Sequence, residues 1–207
     1  MMPALRIAII GISGCGKSTL AQQLSEQYAI QYFKIDEMYW QENWTLRKSE
    51  EFCELVAAAI AEDRWVIDGH GASAKMLIWQ RATHIIWLNY PFVRVFIQLL
   101  GRTIRRAWTR EVIFSGNRES LRQSFFSKDS ILLYMLQNFL AKRRELRGYF
   151  EQYPELQAKV IELDAPMPFE FLLQHLAPSR NSDKIIQKFT LVFAESVFHE
   201  ASLGLVM

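Results

Sequence analysis

Short apolar runs alternate with segments of helical periodicity along most of the chain. We interpret the apolar runs as buried strands, at residues 5–10, 30–35, 64–69, 83–88 and 160–163. Apolar residues recur at helical spacing between them, at residues 18–28, 48–62, 73–80, 119–150 and 169–176 and in a segment that starts at Pro91. Strands that alternate with helices in this way predict an α/β domain.

Length and composition fit that prediction. The chain has 207 residues, of which 50% are hydrophobic, enough for one α/β domain with an insertion and an appendage. Its net charge of +2 is too small to indicate a nucleic-acid partner. Two cysteines, Cys15 and Cys53, provide no disulfide framework, so we expect a reducing compartment, the cytosol. We find neither a basic segment typical of a signal peptide nor an uncharged stretch of membrane-spanning length.

The stretch between the first strand and the first helix carries the strongest chemical signal. Gly11-Ile-Ser-Gly-Cys-Gly-Lys-Ser18 fits the pattern G-x-x-x-x-G-K-[ST]. Its glycines let backbone N–H groups approach a phosphate, and Lys17 adds a mobile cation. The Ser18 hydroxyl can complete the shell of a Mg²⁺ ion, with Thr19 as a second candidate. We therefore expect ATP and Mg²⁺ at this loop, contacted by Gly11, Ser13, Gly14, Cys15, Gly16, Lys17, Ser18 and Thr19. Within this set, Cys15 occupies a variable position and is expected to fill space, the alternative being a reactive thiolate.

Two aspartates stand at predicted strand ends. In open parallel sheets ligands bind just beyond the carboxyl ends of the strands. Asp36 follows the second strand, where it can face the γ-phosphate, hold a magnesium-bound water or accept a proton from a substrate hydroxyl. Asp68 ends the third strand, where it can bind the metal beside Ser18. The alternatives are a turn or cap aspartate for Asp36 and an ordinary Asp-Gly turn for Asp68.

The segment after Pro91 becomes strongly basic. Spacings of three, four and eight residues put its arginines near one helical face, at Arg102, Arg105, Arg106 and Arg110. Forked guanidinium groups can neutralise a phosphoryl group during transfer, so we expect a mobile lid at about residues 101–118, hinged near Gly101 and Gly116. A solvated basic face and a patch that binds nucleic-acid phosphates are the alternatives.

The C-terminal part gives weaker signals. Lys142, Arg143, Arg144 and Arg147 follow an apolar helical stretch and form either a second basic set or a polar helix end. Residues 178–183 are polar and resemble a linker, whereas 185–207 are apolar with scattered charge. We place a phosphate-binding domain at 1–177 and a tail of unassigned role at 178–207; the oligomeric state stays open.

Taken together, these motifs resemble the P-loop kinase superfamily in its adenylate-kinase-like branch, and more closely the bacterial proteins labelled DNA topology modulation proteins. The resemblance covers residues 5–176 and rests on G-I-S-G-C-G-K-S-T, D-E-M-Y-W, D-R-W-V-I-D-G and R-T-I-R-R. It implies a three-layer α/β/α fold with a five-stranded parallel sheet. A segment after the second strand would close over an acceptor, and a helical insertion would carry the lid.

The resemblance also implies roles for single residues. Lys17 and Ser18 would serve ATP and Mg²⁺, Asp68 the metal, and Asp36 the acceptor or a metal-bound water. The lid residues would be Arg102, Arg106 and Arg110. Adenylate kinases carry an arginine for the acceptor phosphate four residues after the strand-three aspartate, and this chain has Ala72 there.

The sequence thus favours an ATP-dependent phosphotransferase that acts with Mg²⁺ on a small acceptor, such as a nucleotide or a hydroxylated metabolite. Two other functions stay open from the residues alone. One is a nucleotide-dependent regulatory protein that binds DNA through its basic segment. The other is an NTPase that works without an acceptor.

Overall fold

The computed structural model describes residues 3–109, 113–117 and 130–176. The chain divides into a larger unit, Met1–Pro166, and a smaller unit, Met167–Met207. The predicted tail at 178–207 lies outside the described residues. Within the described ranges, none of the helices combines the length and the apolar composition that crossing a membrane requires.

A parallel sheet forms the centre of the larger unit. Its strands are β1 (Leu5–Ile10), β2 (Gln31–Lys34), β3 (Arg64–Asp68), β4 (His84–Leu88) and β5 (Val160–Leu163). They lie in the order β2-β3-β1-β4-β5, and every pairing is parallel. The strands β1, β3 and β4 are buried almost throughout, as expected of a sheet covered on both faces. The α/β class and the five-stranded parallel sheet are therefore confirmed.

Helices follow most of the strands. Those described in the larger unit are α1 (Lys17–Tyr28), α2 (Ile35–Tyr39), α3 (Ser49–Ala59), α4 (Lys75–Arg81), α5 (Phe92–Thr109), α6 (Ile131–Gln152) and α7 (Pro154–Gln157). Short 3₁₀ turns cover Glu42–Trp44 and Phe114–Gly116. In the smaller unit the described helix is α8 (Phe169–Leu176).

Two differences from the predicted elements bear on the site. The second strand ends at Lys34, so Ile35 begins a short helix and Asp36 lies in its first turn, where a carboxylate suits the helix dipole. The helix that starts after Pro91 continues through Gly101 to Thr109, so Gly101 is not at an element boundary. Residues 118–129, the first part of the predicted 119–150 helix, are not described.

The strand register gathers the chemical residues at one edge. Asp68 pairs with Ile9 on one side and with Lys34 on the other, so β1, β2 and β3 end at nearly the same level. The Gly69 N–H extends this alignment by donating to the Ile9 carbonyl at 2.8 Å. The glycine loop after β1 and the start of α2 consequently lie beside the end of β3.

Aromatic packing fixes α6 against the sheet. The Phe150 ring of α6 lies 5.5 Å from that of Trp79 on α4 and 5.8 Å from that of Trp87 on β4, measured between centroids. Burying one such phenylalanine contributes roughly 1.5–3 kcal/mol. This contact brings the basic residues of α6 to the carboxyl end of β4.

Candidate active site

The glycine loop has a backbone shape that side chains would not permit. Gly11 and Gly14 have positive φ angles of 144° and 85°. A Cβ atom on Gly11 would lie 2.7 Å from the Leu88 carbonyl oxygen, and one on Gly14 would lie 2.7 Å from the Cβ of Leu99. The loop therefore packs tightly between the end of β4 and α5. A side chain at either glycine would clash with these neighbours and would also strain the backbone at a positive φ angle.

Lys17, at the start of α1, folds back over this loop. Its Nζ donates to the carbonyl oxygens of Gly11 at 3.0 Å and Ile12 at 3.1 Å. The ammonium group is thus held against the loop that directly precedes α1. At this N-terminal end of the helix, the helix dipole also favours an anion. A phosphate chain at the loop would meet both sources of positive charge.

Ser18 and Asp68 meet at the base of the loop. The Ser18 hydroxyl donates to Asp68 Oδ2 at 2.5 Å, and Asp68 itself is only 8% exposed. A hydroxyl and a carboxylate side by side are the oxygen donors that Mg²⁺ prefers, and this ion usually keeps several waters and phosphate oxygens as its other ligands. The pair therefore fits a magnesium ion held jointly with nucleotide phosphates.

Tyr32 lies beside this pair, and no local pattern in the sequence singles it out. Burial above all, and then the negative charge of Asp68, raise the pKa of the Tyr32 hydroxyl, which also interacts with Ser18. The tyrosine is thus neutral and lies close to Ser18 and Asp68. Its position on β2 next to β3 could be inferred only with the strand pairing in hand.

Asp36 lies beyond β2 and faces the same edge of the sheet. Its side chain is exposed, but the protein around it still desolvates the carboxylate, and this raises its pKa. The charge of Lys17 opposes the shift and that of Asp68 adds to it. The charges of Arg102 and Arg106 also oppose the rise of this pKa, but more weakly than Lys17 does. The carboxylate therefore shares one electrostatic environment with the phosphate loop and with α5.

Two of the predicted lid arginines reach this environment. Arg102 and Arg106 are half-buried on one face of α5. Their positive charges both act to lower the pKa of Asp36. The charge of Arg102 also acts to lower the pKa of the Cys15 thiol in the loop. Arg105 is exposed on the same helix, and Arg110 lies outside the described residues.

The remaining loop residues occupy contrasting environments. Cys15 is buried, and desolvation raises the pKa of its thiol, which favours the space-filling interpretation over a reactive thiolate. Gly16 precedes α1 with a φ of 99°. Ser13 is half-buried, whereas Thr19 is exposed on α1.

The loop after β3 brings a neutral histidine to the site. Burial is the main cause that lowers the pKa of His70 to about 4, and the charges of Lys75, Lys17 and Lys142 lower it further. The ring packs edge-on against Trp79, with centroids 5.4 Å apart. His70 is consequently uncharged near neutral pH.

A buried asparagine ties two loops together near the site. Asn117 Oδ1 accepts from the Trp44 backbone N–H at 3.0 Å, and Nδ2 donates to the carbonyl oxygens of Gln41 at 2.9 Å and Phe114 at 2.8 Å. The neighbouring Ser115 hydroxyl donates to the Trp40 carbonyl at 2.6 Å. This clasp joins residues 113–117, in the predicted lid region, to residues 40–45, which follow α2. The sequence predicted a lid hinge near Gly116 but not this long-range contact.

Comparison with known proteins gives structural neighbours only. No protein-family model and no curated protein matches the chain. A shikimate kinase from Aquifex aeolicus is 15% identical with a TM-score of 0.48, over 83% of this chain and 93% of that one. A shikimate kinase from Acinetobacter baumannii, in complex with shikimate, is 16% identical with a TM-score of 0.49, over 86% and 94%. A gluconokinase from Sinorhizobium meliloti is 12% identical with a TM-score of 0.47, over 85% and 91%.

The strand order and the glycine loop after β1 define a parallel α/β fold with a glycine loop between its first strand and first helix. Identities of 12–16% leave the substrate to be argued from the residues of this chain.

Proposed function

We propose that the protein is an ATP-dependent phosphotransferase that acts with Mg²⁺ on a small acceptor. The observation that carries this proposal is the 2.5 Å hydrogen bond between Ser18 and Asp68 directly beneath a glycine loop that also holds Lys17. The finer relation to the adenylate-kinase-like branch and to the DNA topology modulation proteins rests on the sequence motifs alone.

The loop and its lysine would bind the nucleotide. Backbone N–H groups of the loop and the Lys17 ammonium would contact the β- and γ-phosphates of ATP. Ser18 and Asp68 would hold Mg²⁺, which supplies charge neutralisation at the phosphates. Arg102 and Arg106 would offset the negative charge of the transferring group from the side of α5.

Asp36 would serve the acceptor. As an acceptor hydroxyl oxygen attacks the γ-phosphorus, its O–H proton would pass to the Asp36 carboxylate, and the bond to the β-phosphate oxygen would break to release ADP. The raised pKa makes Asp36 a stronger base than an ordinary surface aspartate. The positive charge of Lys17 opposes the rise of this pKa and so favours the ionised carboxylate.

The test is ADP production from MgATP, measured with nucleoside monophosphates and small hydroxylated metabolites and compared with the rate in water alone. Lys17→Ala should weaken ATP binding or turnover roughly ten- to a hundredfold, because a charged hydrogen bond contributes about 1.5–3 kcal/mol. Lys48→Ala, at an exposed lysine before α3, is the matched control. Unchanged affinity and turnover in Lys17→Ala would overturn the proposal, and ADP release that no acceptor stimulates would indicate an NTPase instead.

A further inference from the structure

A tyrosine hydroxyl is buried beside the pair formed by Ser18 and Asp68. Tyr32 lies on β2 and is half-buried as a residue. Its Oη atom is buried and forms no hydrogen bond within the part of the chain that the structure describes. Buried polar groups in proteins nearly always have a partner, so this hydroxyl requires an explanation.

The pairing of β2 with β3 places Tyr32 within reach of Asp68. Asp68 pairs with Lys34 and Val66 pairs with Tyr32, so Tyr32 is two positions back on the adjacent strand. Side chains alternate between the two faces of a sheet, and Tyr32 and Asp68 therefore project from the same face. Residues in this diagonal relation lie about 7–8 Å apart, a distance that an aromatic side chain spans.

Helix α1 brings Ser18 to the same point. The helix packs against β2 and β3, and the Ser18 hydroxyl donates to Asp68 Oδ2 at 2.5 Å. Ser18 and Asp68 both affect the pKa of the Tyr32 hydroxyl, which places the three side chains close together. Two hydroxyls and one carboxylate therefore meet at the base of the glycine loop.

A lysine contacts the Tyr32 ring. Lys34 Nζ lies 5.9 Å from the centroid of this ring and donates to Glu37 Oε1 at 2.9 Å. The cation–π contact favours the observed orientation of the ring. In this orientation the hydroxyl is buried near Asp68 instead of reaching solvent.

The hydrogen-bonding capacity of the pair explains what a second hydroxyl does here. The Ser18 O–H is directed at Asp68, so a cation that uses lone pairs of both groups competes with this bond. The Asp68 carboxylate then depends on another donor to keep its orientation. A tyrosine supplies a neutral O–H donor, and its lone pairs can accept from a water molecule. Groups that hold a metal ligand in place in this way strengthen metal binding.

We propose that Tyr32 is a positioning residue for the magnesium site, whose hydroxyl donates to the Asp68 carboxylate and holds it in the orientation that binds the ion. The inference rests on the proposed function and adds to it a residue that acts through a metal ligand. Mg²⁺ binding should therefore depend on the Tyr32 hydroxyl, whereas nucleotide binding without the ion should not.

The test measures, by calorimetry, the affinity of the full chain for a non-hydrolysable ATP analogue in excess Mg²⁺ and in EDTA. Tyr32→Phe keeps the ring and removes only the hydroxyl. We expect this variant to bind Mg²⁺ about tenfold more weakly in the nucleotide complex, and so to lose most of the gain in nucleotide affinity that Mg²⁺ gives. Its affinity in EDTA and the Tm of the ligand-free protein should stay unchanged. Tyr28→Phe, at the opposite end of α1 from Ser18, is the matched control and should keep the full gain.

Two results would overturn the inference. One is a full gain from Mg²⁺ in Tyr32→Phe, and the other is an equal loss of affinity in Mg²⁺ and in EDTA, which would indicate a structural role. Asp68→Asn in the same series separates this inference from the proposed function. If Asp68→Asn loses the gain while Tyr32→Phe keeps it, the inference fails and the proposed magnesium pair stands. If the wild-type protein shows no gain, the proposed pair fails and the inference fails with it.

Discussion

At the residue scale, the environment of Asp36 combines a chemical advantage with a cost in stability. Desolvation raises its pKa, which means that the folded protein binds a proton here more tightly than the unfolded chain does. As pH rises above the ordinary aspartate value and through the raised one, the folded state loses stability relative to the unfolded state. The same shift makes the ionised carboxylate a better proton acceptor for a hydroxyl.

Asp36→Asn should separate these two effects. Phosphoryl transfer should fall roughly 10²–10⁴-fold, the range for loss of a general base, whereas binding of MgATP should change little. Because the variant no longer ionises, its free energy of unfolding at pH 7 should equal or exceed that of the wild-type protein. Turnover assays, calorimetric ATP titration and urea denaturation measure the three quantities. Equal losses of ATP binding and transfer would rule out the acceptor role.

At the scale of elements, the clasp around Asn117 links two segments that are far apart in sequence. The segment 113–117 lies in the region predicted to form a lid, and residues 40–45 follow the helix that carries Asp36. The bonds are made by one buried amide, so the two segments are expected to open together rather than separately. A conformational change in residues 113–117 would then also move residues 40–45.

Asn117→Ala should release this clasp locally. Its loss removes three hydrogen bonds, each with a net contribution of about 1 kcal/mol, so the protected Trp44 amide should exchange roughly ten- to a hundredfold faster. Hydrogen exchange followed by mass spectrometry or NMR detects this. Ser115→Ala removes only the bond to the Trp40 carbonyl and should have a smaller effect. Unchanged exchange at Trp44 in Asn117→Ala would show that the clasp does not hold the segment.

At the scale of the whole molecule, the register of the parallel strands brings together site residues that are far apart in the sequence. Ser18 and Asp68 are separated by 50 positions, and they meet because β1 and β3 are adjacent and end at the same level. The loop after β4 and the helix α6 complete the same edge. The position of the glycine loop above the Ser18–Asp68 pair is therefore a consequence of the sheet topology.

This topology also explains which features the sequence predicts. The glycine loop and the strand-end aspartate depend on residue types at fixed local spacing, so they could be predicted. The start of α2 at Ile35 was missed because a β-branched residue after an apolar run extends the strand pattern. The hydrogen bond from the Trp44 N–H to Asn117 Oδ1 joins residues 73 positions apart, and no local pattern encodes it.

The most direct test of the account is the magnesium dependence of ATP affinity, measured by calorimetry on the wild-type protein and on Asp68→Asn. Asp63→Asn, at a surface aspartate paired with Arg6, is the control with the same change of charge. If Ser18 and Asp68 hold the ion, Mg²⁺ should strengthen ATP binding about tenfold or more in the wild-type and Asp63→Asn proteins, but much less in Asp68→Asn. An equal gain from Mg²⁺ in all three proteins would contradict the account.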